Sequence, residues 1–188
     1  MTSAVSGIAN LQECFLLVID VQERLMAAMP DGTRDVLIKQ VGVLLQAAEV
    51  LNIPVAITEQ YPKGLGPTEA DLLSLSPTKT VIEKTCFACT NADSFMTRLR
   101  SSHRRSVILT GMETHICILQ TALALQKQGY QVFVVEDGVS SRTAQNKHNA
   151  LQRLRQAGVI ITNTESVLFE WLADAKHTAF RTLSKLIV

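Results

Sequence analysis

A predominance of one sign of charge is missing from this chain: 18 Lys and Arg are nearly cancelled by 17 Asp and Glu, leaving +1 over 188 residues. That balance offers no basic footprint for a nucleic acid and no cationic face for a membrane surface. Also missing is any run of roughly 20 apolar residues, so no membrane span is expected. The first ten residues, MTSAVSGIAN, have neither the cationic start nor the apolar core of a secretion signal and are expected to form a frayed leader. No internal repeat, low-complexity tract or linker divides the sequence, and residues 1–188 are expected to form a single domain around one core. Cysteine is scarce, at Cys14, Cys86, Cys89 and Cys117. Two of the four lie in or directly after apolar runs, which is use as core filler or reagent and not as a disulfide framework. A reducing, cytoplasmic compartment is the expectation.

What is present is a series of six short apolar runs rich in β-branched residues: CFLLVID, PVAIT, TVIEK, SVILTG, QVFVVED and VIITN. None alternates with polar residues, as befits strands buried on both faces of a parallel sheet. Between them lie helical stretches. In residues 35–51, Val36, Leu37, Val41, Leu44, Leu45 and Ala48 recur at three- and four-residue steps, a pattern suited to covering a sheet. Thr68 with Asp71 and Thr90 with Asp93 have the spacing of helix N-terminal caps. Gly129 and Gly158 follow helical runs and precede strands, as left-handed glycines beyond a helix end do. YPKGLGPT reads as a loop within this alternation, and residues 165–186 as a helix and irregular tail anchored by Trp171 and Phe180. The fold class is therefore α/β: three layers, with a doubly wound, Rossmann-like parallel sheet in the middle.

In such sheets ligands bind at the carboxyl ends of the strands. Asp20 closes the first run, Lys84 closes the third, and Cys117 lies a few residues past the fourth, at the start of a helix reading CILQTALALQKQG. A thiol at a helix start beside an ammonium is expected to form thiolate near neutral pH, with the carboxylate as proton acceptor. Singly, each residue has a plainer reading: a turn aspartate, a solvated lysine and a buried small cysteine.

The strings LLVIDVQ, VIEKTCF and GMETHICILQTALAL resemble the three signature blocks of the isochorismatase-like cysteine hydrolases. The resemblance extends from Phe15 to Val167, and TEQYPKGLG, EDGVSSR and TNTESVLFE are similar to the branch called isochorismatase domain-containing proteins. It implies six parallel strands in the order 3-2-1-4-5-6. It also implies a catalytic triad of Asp20, Lys84 and Cys117, in which Cys117 attacks a small amide or related carbonyl to give a thioester-type intermediate. Asp20 would serve as general base and then acid, and Lys84 would stabilise the thiolate and orient Asp20. A cis peptide would join Met112 and Glu113, and the amides of Glu113 and Cys117 would form an oxyanion hole. Gln22, Gln60, Tyr61, Phe87 and His115 are candidate pocket residues, with His115 as readily a packing residue beside the cysteine.

Relatives that bind a metal use a D-x-H grouping that is missing after Gln22, Glu23 and Arg24, so neither metal nor cofactor is expected. Enzymes that cleave isochorismate itself need no cysteine nucleophile, which counts against that substrate. The C-x-x-C of Cys86 and Cys89 lacks the second ligand pair of a zinc site and reads as pocket wall or packing, with a thiol redox pair as the lesser reading. The expected partners are a small-molecule substrate and further copies of the chain in a homo-oligomer, an inference supported by the apolar Leu168, Phe169, Trp171 and Leu172. A catalytically idle interaction protein of the same fold is the competing reading.

Overall fold

A computed structural model describes residues 7–187. Its sheet has six strands: β1 (Cys14–Ile19), β2 (Val55–Gln60), β3 (Val81–Lys84), β4 (Ser106–Met112), β5 (Gln131–Ser140) and β6 (Ile160–Thr162). All are parallel, in the order β3-β2-β1-β4-β5-β6. The chain starts in the centre, winds outward through β2 and β3, then crosses back to β4. The order therefore reverses between β1 and β4, and the carboxyl edge opens a crevice there.

Strand periodicity divides the core. Cys14, Leu16 and Val18 of β1 face one side, while Phe15, Leu17 and Ile19 face the other, and all six are fully buried. The first side is covered by α2 (Thr33–Val50) and α8 (Thr164–Leu172), which supply Leu37, Val41, Leu44, Leu45, Leu168 and Trp171. The second is covered by α5 (Asp93–Ser101), α6 (Leu119–Lys127) and α7 (Ala144–Gln156), through Phe95, Leu99, Ala122, Leu125, Leu151 and Leu154. Gly111 is where β4 comes closest to β1. Its φ is +109°, and a Cβ there would lie 2.0 Å from the Ile19 carbonyl oxygen, so only glycine fits.

Several local expectations needed tertiary context. Val36 is 56% exposed, while Leu37 beside it is buried against the sheet. Neither Thr68 nor Thr90 caps a helix. The Thr68 hydroxyl donates to the buried Glu59 carboxylate, and Thr90 lies in a 3-10 turn that ends before the helix begins at Asp93. The side-chain caps belong to Thr143 and Asn163, which accept from Asn146 N–H and Ser166 N–H. Gly129 and Gly158 do take φ of +87° and +85° at helix ends. The YPKGLGPT loop contains one helical turn, α3 (Pro62–Leu65), comparable to the short helices α1 (Glu23–Met26) and α4 (Ala70–Leu75). Of the expected leader, residues 1–6 lie outside the described residues, while Ala9 is buried and its N–H donates to Glu170. Of the four apolar residues expected to support assembly, Leu168, Trp171 and Leu172 are buried within the chain itself, and Phe169, 40% exposed, packs beside Phe180. No helix among the described residues is long and apolar enough to cross a membrane.

Candidate active site

Three segments far apart in sequence meet at the carboxyl edge. Asp20 follows β1 in a left-handed conformation, φ +53°, which a short polar side chain tolerates better than a bulky one. The turn aims its carboxylate across the top of β2. Lys84 ends β3 and reaches inward, where its Nζ lies 2.7 Å from Asp20 Oδ2, 2.7 Å from Gln60 Oε1, 3.3 Å from the Cys86 carbonyl oxygen and 3.7 Å from Cys117 Sγ. Cys117 sits in a wide helical turn, Thr114–Ile118, between β4 and α6. Both side chains of the ion pair are fully buried, and Cys117 is 6% exposed.

The electrostatics decide the resting protonation states. Burial, the largest single influence, draws the Lys84 ammonium toward its neutral form, but the Asp20 charge, the Cys89 and Cys117 sulfurs and the hydrogen bond to Asp20 together outweigh it and raise its pKa, so it stays cationic. Cys117 goes the opposite way to expectation. Burial pushes its thiol well above the ordinary range, and the Asp20 carboxylate, which accepts its hydrogen bond, adds to this; Lys84 offsets only part. Burial, and the repulsion from the same carboxylate that could take its proton, thus favour the thiol over the thiolate at rest.

The pocket expectations separate. Gln60 holds Lys84 through Oε1 and ties its own Nε2 to the Thr85 carbonyl. Gln22 is fully buried and serves the scaffold: its Oε1 accepts from Gln60 N–H, and its Nε2 donates to the carbonyls of Gln60 and Gly66. That corrects its placement in the pocket, since the amide is consumed in joining the end of β2 to the following loop. Tyr61, 55% exposed, lines a depression of about 510 Å³ together with Pro62, Lys63, Lys84, Cys86 and Asn91. Phe87, 52% exposed, stays on the surface of the loop after β3. A second depression of about 440 Å³, bordered by Asp31, Asp137 and Lys147, contains none of Asp20, Lys84 and Cys117. His115 is half-buried; its Nδ1 lies 3.0 Å from Ser141 Oγ and its Nε2 3.4 Å from Asn146 Nδ2.

The Met112–Glu113 peptide is cis. The Glu113 carboxylate turns away from the lysine and is gripped by Arg142, which donates from its backbone N–H, Nε and guanidinium NH2. Burial favours the protonated Glu113 carboxyl, but these bonds win and its pKa is lowered. No sequence signal marked this pair. Thr58 was equally unmarked, although a threonine inside the apolar run PVAIT was a clue; its hydroxyl donates to Asp20 Oδ1 at 2.7 Å. Cys86 and Cys89 are both unpaired thiols. Burial pushes Cys89 up to about 12, and its N–H donates to Thr121 Oγ1, which is the environment of a packing residue. Among the described residues no group of three or more His, Cys, Asp or Glu is arranged to hold a metal ion.

Comparison with known proteins gives a consistent result. Residues 14–166 match the isochorismatase domain. The chain is 43% identical over 144 residues to isochorismatase domain-containing protein 1 of Danio rerio, covering 77% of this chain and 50% of that protein, so it spans half the length of that relative. It is 39% identical over 197 residues to the secreted isochorismatase effector Isc1 of Phytophthora sojae, covering 100% of this chain and 91% of the effector. Among solved structures, the MAR1 ribonuclease of Caenorhabditis elegans superposes with a TM-score of 0.87 at 35% identity, covering 95% of this chain and 91% of that one.

Proposed function

Because the chain belongs to the isochorismatase family, whose hydrolase fold it shares, we propose that it is a metal-free cysteine hydrolase of a small amide or related carbonyl compound. The observation that carries this reading is the buried Lys84 ammonium, 2.7 Å from the Asp20 carboxylate and 3.7 Å from the Cys117 sulfur. Since the resting sulfur is a thiol, deprotonation accompanies attack. Asp20 takes the proton as Sγ bonds to the carbonyl carbon, and the C=O electrons move onto oxygen. The backbone N–H groups of Glu113 and Cys117 receive that oxyanion, a role in which one donor is typically worth about 3 kcal/mol of barrier. Collapse expels the amine, which takes the proton back from Asp20 and leaves a thioester. Water, deprotonated by Asp20, then releases the carboxylic acid and restores the thiol. Lys84 remains charged throughout, holds Asp20 in place and offsets charge on sulfur.

The depression beside Tyr61 and Cys86, lined by Lys84 but not by Asp20 or Cys117, has the size of a small-molecule site, and four unpaired cysteines suit a reducing cytoplasm. Assembly into a homo-oligomer belongs to the same proposal. The reading is tested by assaying ammonia release from a panel of small primary amides, with Cys117→Ala as blank and mass spectrometry of Cys117 for an acyl adduct. RNA joins the panel because of the ribonuclease named above, although a chain of net charge +1 offers little to phosphate. Amide turnover lost in Cys117→Ala is expected. No turnover and no adduct at Cys117 would favour the idle interaction protein, and RNA cleavage that survives Cys117→Ala would refute the cysteine mechanism.

A further inference from the structure

A carboxylate that exchanges a proton must be fixed in direction as well as place. Lys84 secures only Oδ2 of Asp20, and a group held at one oxygen can still turn about its Cβ–Cγ bond. The second oxygen is held from β2. Thr58 pairs with Ile19 in the parallel register, its carbonyl accepts the Asp20 N–H at 3.1 Å, and its hydroxyl donates to Oδ1 at 2.7 Å. Thr58 is fully buried, and a β-branched side chain in a packed strand has little χ1 freedom. Its hydroxyl oxygen also lies 3.9 Å from Cys89 Sγ, so the buried thiol can donate to it and keep the hydroxyl hydrogen directed at Asp20.

We propose that Thr58 is the positioning residue for Asp20: with Lys84 on one oxygen and the Thr58 hydroxyl on the other, the carboxylate plane is fixed for proton exchange at Cys117. This rests on the reading of Asp20 as the base that serves Cys117. The hydroxyl touches neither the sulfur nor the depression, so its effect passes wholly through the carboxylate. Both steps in which Asp20 takes a proton, from the Cys117 thiol and from the attacking water, should slow, whereas the fraction of chains whose sulfur accepts an acyl group should not fall. Thr58→Val keeps the shape and removes the donor; Thr58→Ser keeps the donor and removes the methyl.

The probe is p-nitrophenyl acetate, which acylates a cysteine without needing a protonated leaving group and then waits for base-assisted hydrolysis. Wild type is expected to release one equivalent of nitrophenol per chain in a burst, with the acetyl group on Cys117 by mass spectrometry, followed by steady turnover. Thr58→Val should keep the burst amplitude and lose roughly 10- to 100-fold in steady turnover. Thr58→Ser should recover to within about twofold of wild type. A structural role would produce no such split between burst and turnover. Wild-type turnover in Thr58→Val, or Thr58→Ser as slow as the valine variant, overturns the proposal while leaving the proposed function intact. A wild-type protein never acylated at Cys117 overturns both. If the valine variant does not fold, Thr58→Ala is judged by the same outcomes.

Discussion

Lys84→Met is the sharpest probe of the buried pair, because methionine fills most of the lysine volume while removing the charge and the donors to Asp20, Gln60 and the Cys86 carbonyl. In the native protein neither Lys84 nor Asp20 has side-chain area exposed to water, and they stand 2.7 Å apart. The pair as a whole need not be strongly stabilising, since drawing two charges from water offsets most of their attraction. Removing one partner is different: the carboxylate is left in the same dry site, with the Thr58 hydroxyl and the Cys117 thiol as its remaining donors. Such orphaned charges cost about 3–5 kcal/mol. For a chain of this length each kcal/mol moves the melting temperature by about 2–4 °C, so a fall of about 6–20 °C is expected. Adding Asp20→Asn removes the orphan charge and should recover more than half of the loss, asparagine also being at ease with positive φ. Thermal and urea denaturation of the single and double variants measure all of this. A Lys84→Met protein within about 1 kcal/mol of wild type, or a double variant no better than the single, would show that the site is wetter or looser than its geometry implies.

Two further outcomes follow from the same structure. Burial and Asp20 hold the Cys117 thiol up while Lys84 draws it down, so Asp20→Asn removes an opposing charge and should lower the pH at which thiolate forms. The ultraviolet thiolate absorbance of Asp20→Asn, after subtraction of the same variant carrying Cys117→Ala, checks this against wild type; an unchanged or higher midpoint would contradict it. Gly111→Ala should cost about 3 kcal/mol or more, since its Cβ meets the Ile19 carbonyl oxygen at 2.0 Å on unfavourable φ, and a soluble variant with an unaltered melting temperature would show that β1 and β4 can part there.

The alternation of strands and helices was open to reading because it is written in local patterns. A strand buried on both faces must be apolar throughout, as CFLLVI is, and a helix end that turns left-handed selects glycine, as Gly129 and Gly158 show. Asp20, Lys84 and Cys117 could be placed on one edge for the same reason, each at or just beyond the end of a recognisable strand. Their meeting was decided only by the tertiary structure, where the strand order β3-β2-β1-β4 brings the ends of β3, β1 and β4 to one edge of four neighbouring strands. So was the protonation of Cys117, because a pKa sums burial and charges from distant segments, and burial first, with the Asp20 charge added, reverses what a helix start and a lysine would suggest. Gln22, Thr58 and the Glu113–Arg142 pair were hidden likewise: a polar side chain in an apolar run reveals its purpose only when its hydrogen-bond partner, tens of residues away, is known.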